Sequence, residues 1–157
     1  MERSETVRRL QMAKEILLLP EIPGVDEFDM GWWGSAESLD KDGNTCGTVC
    51  CFGGALGLQP AFRALRFIAE WRKVSHPLDG DYYVLDARYE DGDWREFEEM
   101  GAEVFGISVD ECGELFADYA TELCPEDFDD CASDVTREIV EHRLDVLIER
   151  YSMPEAA

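Results

Sequence analysis

The chain has 157 residues, of which 45% are hydrophobic, and it carries a formal net charge of −22. This length suits one domain around a single hydrophobic core, and the apolar content excludes the weakly hydrophobic acidic chains that stay disordered. The longest uncharged apolar run, residues 45–58, is too short to cross a bilayer. We therefore expect one acidic globular domain over residues 1–157, located in the cytoplasm and without a membrane segment.

The first predicted element is a helix that Ser4 caps and that runs to about Leu18, before Pro20. The segment 21–45 is rich in Pro, Gly and Asp but also contains large apolar residues, which predicts a loop folded back onto the core. A short glycine-rich helix is predicted from about Thr48 to Leu56.

Pro60 is well placed in the first turn of the next predicted helix, which carries apolar residues as far as Trp71. It is the only locally basic helix, through Arg63, Arg66, Arg72 and Lys73. The period then changes, because apolar and charged residues alternate along residues 83–89. This alternation predicts a strand, alone or as one arm of a hairpin whose turn is residues 78–81.

Two short amphipathic helices are predicted next. Asp93 caps the first and Gly106 ends it, while Ser108 and Glu111 have the spacing of a capping box that opens the second. The second helix is expected to bury Val109 among its apolar residues. A last amphipathic helix follows a Ser133 cap. The predicted fold class is mainly α (α+β), a compact bundle of about five or six helices with a small β-hairpin or strand near residues 74–90.

The sequence TCGTVCCFGGAL, residues 45–56, contains three of the six cysteines. Cys46 would lie just outside the predicted helix, where the helix dipole favours a thiolate. A cysteine nucleophile also needs a base, and the chain offers only His76 and His142. A cysteine-dependent enzyme centred on Cys46–Cys51 is therefore an alternative, not the preferred interpretation.

A metal site is a second alternative for the same cysteines. The remaining cysteines show none of the paired C-x-x-C spacing that structural zinc sites usually have, and no intact calcium loop is present. Free cysteine is among the most buried residue types, and small neighbours let another helix approach closely. We expect packing cysteines, with no catalytic residue, no bound metal and no cofactor.

The order EFDMGWWG, then CGTVCCFGGAL, then MGAEVFGISVDECGELF resembles a group of small proteins from phages and bacterial mobile elements. The shared segment is CGTxxCxxG, which maps onto Cys46, Gly47, Thr48, Cys51 and Gly54. Cys50 and Leu56 depart from the pattern, which has alanine at the first position and His, Trp or Ala at the second. The resemblance implies a phage or mobile-element origin, hence the cytoplasm of a host cell, and it implies no activity.

The acidic residues are concentrated in one third of the chain. Residues 79–134 contain twenty acidic and two basic residues, so about −18 of the total −22 lies there. In the two short helices the acids recur at helical spacing, which places like charges on one exposed stripe opposite each buried face. The expected stripe comprises Asp86, Glu90, Asp91, Glu96, Glu99, Glu103, Asp110, Glu111, Glu114, Asp118, Glu126, Asp127, Asp129 and Asp130.

A dense row of carboxylates is a charged surface like that of DNA, which carries one negative charge per about 1.7 Å of its axis. We therefore expect a binding protein, not an enzyme, whose acidic stripe occupies the basic groove of a nucleic-acid-binding host protein or complex. For a phage gene the expected partner is a defence nuclease or a CRISPR surveillance complex, blocked by DNA mimicry. Direct binding of nucleic acid is disfavoured, because the one basic helix has only four basic residues. The remaining alternative is that the acidity only increases solubility or adapts the chain to salt.

Overall fold

The computed structural model describes residues 1–30, 34–39, 45–77, 80–87, 96–118, 121–125 and 135–154. Within these ranges the helices are α1 (Arg3–Leu17), α2 (Phe52–Leu58), α3 (Pro60–Arg63), α4 (Phe97–Phe105), α5 (Val109–Phe116) and α6 (Arg137–Ser152). The strands are β1 (Glu27–Phe28), β2 (Ser35–Ala36), β3 (Ser38–Leu39), β4 (Thr45–Cys46), β5 (Val49–Cys50), β6 (Ala69–His76) and β7 (Gly80–Ala87).

Five of these strands form a mixed sheet in the order β1-β5-β2-β7-β6, and β3 pairs with β4 in a separate two-stranded sheet. β1 lies parallel to β5, and the remaining neighbours in the larger sheet are antiparallel. The long part of the sheet is the β6–β7 hairpin, in which Ala69 pairs with Ala87 and His76 pairs with Gly80.

The core lies between one face of this hairpin and the helices. Ala69, Leu85 and Ala87 alternate with half-buried residues and are almost fully buried. Rings from α2–α5 and the connection after α3 meet there, with centroids 5.8–6.5 Å apart; they belong to Phe52, Phe62, Phe67, Phe97, Phe105 and Phe116. α1 and α6 pack against each other and close the core with leucines that are 0–1% exposed, namely Leu10, Leu17, Leu144 and Leu147.

The expected fold class, a mainly α bundle, is wrong because the protein contains a larger sheet. The described residues form an α+β fold, with six helices and a five-stranded mixed sheet in place of a bundle with a small hairpin. The error lies in three two-residue strands, β1, β2 and β5, because a pair of residues carries no readable period. Their pairing is tertiary, since β5 pairs with β1 and β2 from earlier in the chain, and β2 pairs with β7 of the β6–β7 hairpin.

The predicted helix from Pro60 to Trp71 is also wrong. α3 ends at Arg63, and Arg66 then takes a left-handed backbone conformation with φ of 69°. A non-glycine residue rarely adopts this conformation, and it does not continue a helix. Trp71 instead lies on β6, opposite Leu85 of β7, so the strand pairing overrides the helical spacing of the apolar residues.

Candidate functional site

The two short helices α4 and α5 form the part of the molecule in which acidic residues come together. α4 ends at Gly106, which has φ of 71° and whose N–H donates to the carbonyl of Ala102. α5 begins with a complete capping box, in which the Ser108 hydroxyl accepts from the Glu111 N–H and the Glu111 carboxylate accepts from the Ser108 N–H. The glycine stop and the capping box, both expected from the sequence, turn the chain sharply. As a result α5 packs back on α4.

An open groove runs between these two helices. Its walls are Glu96, Glu98 and Glu99 on the α4 side and Asp110 and Glu114 on the α5 side, with Val109 and Gly113 also in the lining. A second section shares Glu99 and Val109 and adds Ala102, Glu103 and Ile107. We call these two sections the acidic groove. The structure thus brings together five residues of the expected stripe, which are Glu96, Glu99, Glu103, Asp110 and Glu114.

The acidic groove is dense in charge. Six carboxylates line it, four on the α4 side and two on the α5 side. Closely spaced negative charge is also the main feature of duplex DNA, which carries one charge per about 1.7 Å of its axis. No Lys or Arg is among the described residues that line the groove. Within the described ranges, Glu96, Glu98, Glu99, Asp110 and Glu114 form no ion pair.

Two features of the acidic groove differ from the sequence analysis. Val109 was expected to be buried, but it is 51% exposed and lies in the groove lining. Val109 is the first residue of α5, so no preceding turn of the helix covers its side chain. Glu98 and Gly113 are not among the residues expected from the sequence. Glu98 is half-buried and lies two positions after Glu96, outside the i, i+3, i+7 spacing of the other α4 acids, and Gly113 is a mid-helix glycine.

Glu111 has a different environment from the other acids of the expected stripe. Its carboxylate accepts hydrogen bonds of 2.7 Å from Arg150 Nη1 and from the Tyr151 hydroxyl, both on α6. Partial burial raises the pKa of Glu111, but the bonds from Ser108, Arg150 and Tyr151 outweigh this effect and lower the pKa to about 2. This side chain joins α5 to α6 and does not line the acidic groove.

The other residues of the expected stripe lie elsewhere. Asp86 is half-buried on β7 and pairs with Arg72 of β6. Asp118 is exposed beyond the end of α5, so it does not continue the helical spacing. Six expected residues fall outside the described residues, and these are Glu90, Asp91, Glu126, Asp127, Asp129 and Asp130.

The CGTxxCxxG segment connects a strand to a helix. The Thr48 N–H donates to the Asp26 carboxylate at 2.8 Å, and the Thr48 carbonyl accepts from Asp26 and Glu27 N–H groups at 2.9 Å. These bonds hold β1 beside β5. Gly47 has φ of 66°, a conformation that glycine adopts without strain. The helix after β5 begins at Phe52, four residues later than expected.

Cys51 is the N-cap of α2, and its sulfur accepts from the Gly54 N–H at 3.5 Å. The thiol is 1% exposed, and burial raises its pKa to about 12. Burial also raises the pKa of Cys50. Gly54 is buried within α2, and Cys46 lies on β4 with a side chain outside the described part. Buried thiols with raised pKa values agree with the packing interpretation of this segment.

Two features are absent from the described residues. No group of three or more His, Cys, Asp or Glu residues there has the arrangement of a metal site. None of the described helices combines the length and the apolar character needed to cross a membrane. Comparison of the chain with models of protein families, with curated protein sequences and with solved structures finds no match.

Proposed function

We propose that the chain is an acidic binding protein whose acidic groove docks on the nucleic-acid-binding surface of a basic partner protein. The observation that carries this proposal is the groove itself, in which six carboxylates on two facing helices line one surface and no described Lys or Arg lies among them. A surface that binds the phosphates of DNA is built for closely spaced negative charge. The chain would therefore compete with nucleic acid for the same basic residues.

The energetic cost of the acidic groove supports a role in binding. Like charges at i,i+4 on a helix cost a few tenths of a kcal/mol per pair, and both Asp110 and Glu114 of α5 line the groove. Elsewhere some acids are paired, as Glu141 and Asp145 are with Lys14. A groove whose two walls carry carboxylates without an ion pair to a described residue, such as Glu99 and Glu114, is disfavoured by repulsion, and a basic partner would relieve this repulsion on docking.

The resemblance to phage and mobile-element proteins suggests the class of partner. Within this proposal the partner is a host defence nuclease or a CRISPR surveillance complex, since both hold nucleic acid in a basic channel. The chain would block such a channel without binding nucleic acid itself.

The test uses two triple variants of equal charge change. In the groove variant, Glu96, Glu99 and Glu114 become Lys, which reverses charges on both walls. In the control variant, Glu15, Glu138 and Glu149 become Lys; these side chains are exposed on α1 and α6 and form no ion pair with a described residue. Glu141 is not used, because it pairs with Lys14. Each variant changes three residues by two charges, so net charge rises equally in both.

The immobilised wild-type chain first captures proteins from a nuclease-treated bacterial lysate at low salt. Each captured protein is purified, and fluorescence anisotropy then measures its binding to labelled duplex DNA with and without the chain. We expect wild type and the control variant to displace the DNA, with an affinity that falls as salt screens the exposed charges within about 10 Å. The groove variant should not displace it. Equal weakening by both triple variants, or capture without competition against DNA, would refute the proposal.

A further inference from the structure

β6 is an edge strand of unusual length. It has eight residues and lies at the end of the five-stranded sheet, paired with β7 on one side. No other strand of the described ranges lies along its second side. Natural sheets usually shorten or cover such an edge, because its free N–H and C=O groups can pair with another chain.

The register of the sheet shows which backbone groups face this edge. The Leu85 N–H donates to the Gly34 carbonyl at 2.8 Å, so the backbone of Leu85 faces β2. Backbone groups alternate sides along a strand, so those of Val84 must face β6, where Arg72 is its partner in the register. Along β6, the even-numbered residues therefore use their backbone groups to bond β7.

The odd-numbered residues Trp71, Lys73 and Ser75 consequently direct their backbone N–H and C=O groups to the outer side. The Ala69 carbonyl belongs to the same set. It accepts a hydrogen bond of 2.8 Å from Arg63 Nη1 and not from β7, which agrees with the assignment of the two sides.

We propose that β6 pairs antiparallel with β6 of a second copy of this chain, with Trp71 opposite Trp71 across a two-fold axis. In this register Glu70 of each copy lies opposite Arg72 of the other. Two Glu70–Arg72 ion pairs thus form on one face of the joined sheet, one on each side of the central Trp71 position. Ala69 lies opposite Lys73 of the other copy. The Ala69 carbonyl accepts from Arg63 in the single chain, so about six main-chain hydrogen bonds form between the two strands once the Lys73 N–H replaces Arg63 there.

Charge selects this register over the adjacent ones. In an antiparallel pair, two directly opposed residues either both point their backbone groups at the partner strand or both point them away. A shift of register therefore changes the sum of the two paired residue numbers by two. The next register places Arg72 opposite Arg72, and the one after it places Lys73 opposite Lys73. Like charges directly opposite destabilise a strand pair, whereas opposite charges stabilise it.

The location of β6 also suits self-association of a strongly acidic chain. Two copies that each carry a net charge of −22 repel each other through most of their surface. β6 carries two basic residues and one acidic residue, so its local charge is slightly positive. Arg72 and Lys73 pair within the hairpin with Asp86 and Asp81, and both basic side chains are about half exposed. This strand can therefore approach a second copy with less charge repulsion than the acidic groove.

Sedimentation equilibrium over a wide concentration range tests this pairing, using four variants and the wild-type chain. Lys73→Pro removes an outward N–H, which an edge strand tolerates, while Lys73→Ala removes the same side chain and keeps the N–H. We expect the wild type and Lys73→Ala to dimerise and Lys73→Pro to stay monomeric with an unchanged circular dichroism spectrum.

The remaining two variants test the register. Arg72→Glu should weaken the dimer about tenfold or more, because two attractive pairs become repulsive. The double variant Glu70→Arg, Arg72→Glu should restore it. A wild type that is monomeric at every concentration, a dimer that survives Lys73→Pro, or a double variant no better than Arg72→Glu would each overturn the inference.

Discussion

The substitution Gly101→Ala should weaken the contact between α4 and α5. A Cβ atom at residue 101 would lie 2.5 Å from the Cys112 sulfur and 2.9 Å from Cε2 of Phe116, whereas carbon atoms in favourable contact are about 3.5–4.0 Å apart. Cys112 is 0% exposed and Phe116 is 4% exposed, so neither side chain has open space beside it. The ring of Phe116 is also held by Phe52 and Phe67, at centroid distances of 6.0 and 6.2 Å.

The added methyl group therefore has to move one helix away from the other by about 1 Å. Overpacking of this kind costs about 1–3 kcal/mol. Alanine recovers part of the cost, because glycine within a helix is about 1 kcal/mol less favourable. We expect Gly101→Ala to lower the free energy of unfolding by up to about 2 kcal/mol, which lowers Tm by up to roughly 8 °C in a protein of this size.

Gly113→Ala is the matched control on the facing helix. A Cβ there would have Glu98 Cγ as its nearest neighbour at 3.9 Å, an ordinary contact. Only the helix-propensity gain should then remain, and stability should rise by about 0.5–1 kcal/mol. The same chemical change is thus expected to have opposite signs on the two helices.

Equilibrium urea unfolding, followed by tryptophan fluorescence and by circular dichroism, measures both effects. The reasoning fails if Gly101→Ala is as stable as the wild type, or if both variants change stability in the same direction. Either result would mean that α4 and α5 are not in close contact at residue 101, and the walls of the acidic groove would then not be fixed by this packing.

Two further predictions concern stability. Glu111→Gln removes a carboxylate whose pKa falls from 4.5 to about 2 on folding. The stabilisation that this shift represents, up to about 3 kcal/mol, is present above pH 4.5 and is lost as pH falls toward 2. The variant should be less stable at pH 7 and should lose less stability between pH 4.5 and 2, as urea unfolding at several pH values will show; an unchanged acid dependence contradicts this account. Cys51→Ser should be nearly neutral, because a serine hydroxyl can accept the same Gly54 N–H at the N-cap of α2, whereas Cys51→Ala should cost about 1 kcal/mol. Equal thermal stability of these two cysteine variants would show that the N-cap bond contributes nothing.

Local signals in the sequence predicted the end of α4 and the start of α5, whereas α4 begins at Phe97 and not directly after Asp93. A glycine in the left-handed conformation at Gly106 and the Ser108–Glu111 capping box are fixed by residues at most three positions apart, so the chain itself carries them. Five of the six groove acids follow from the helical spacing, and Glu98 does not. What the spacing could not show is that Glu111 turns toward Arg150, because that partner is 39 residues away.

The sheet could not be predicted in the same way. Residues 60–71 have helical spacing of apolar groups, and only the pairing of β6 with β7 and the turn at Arg66 decide against a helix. Likewise, the glycines and small residues that follow Thr48 predict a helix start there. Backbone bonds to Asp26 and Glu27 instead extend Val49 and Cys50 as a strand, and no local pattern announces those bonds.

The packing of α1 against α6 has a consequence for how the chain folds during synthesis. Lys14 and Asp145, which meet across this interface, are 131 residues apart, and closing a loop of that length costs about 4 kcal/mol of chain entropy beyond a constant term. During synthesis α1 is made before α6, so until α6 has emerged only α2 and α4, of the described helices, can cover the face that carries Leu10 and Leu17. The α1–α6 contact is therefore among the last to form as the chain is made, and part of the α1 face stays open to solvent until then.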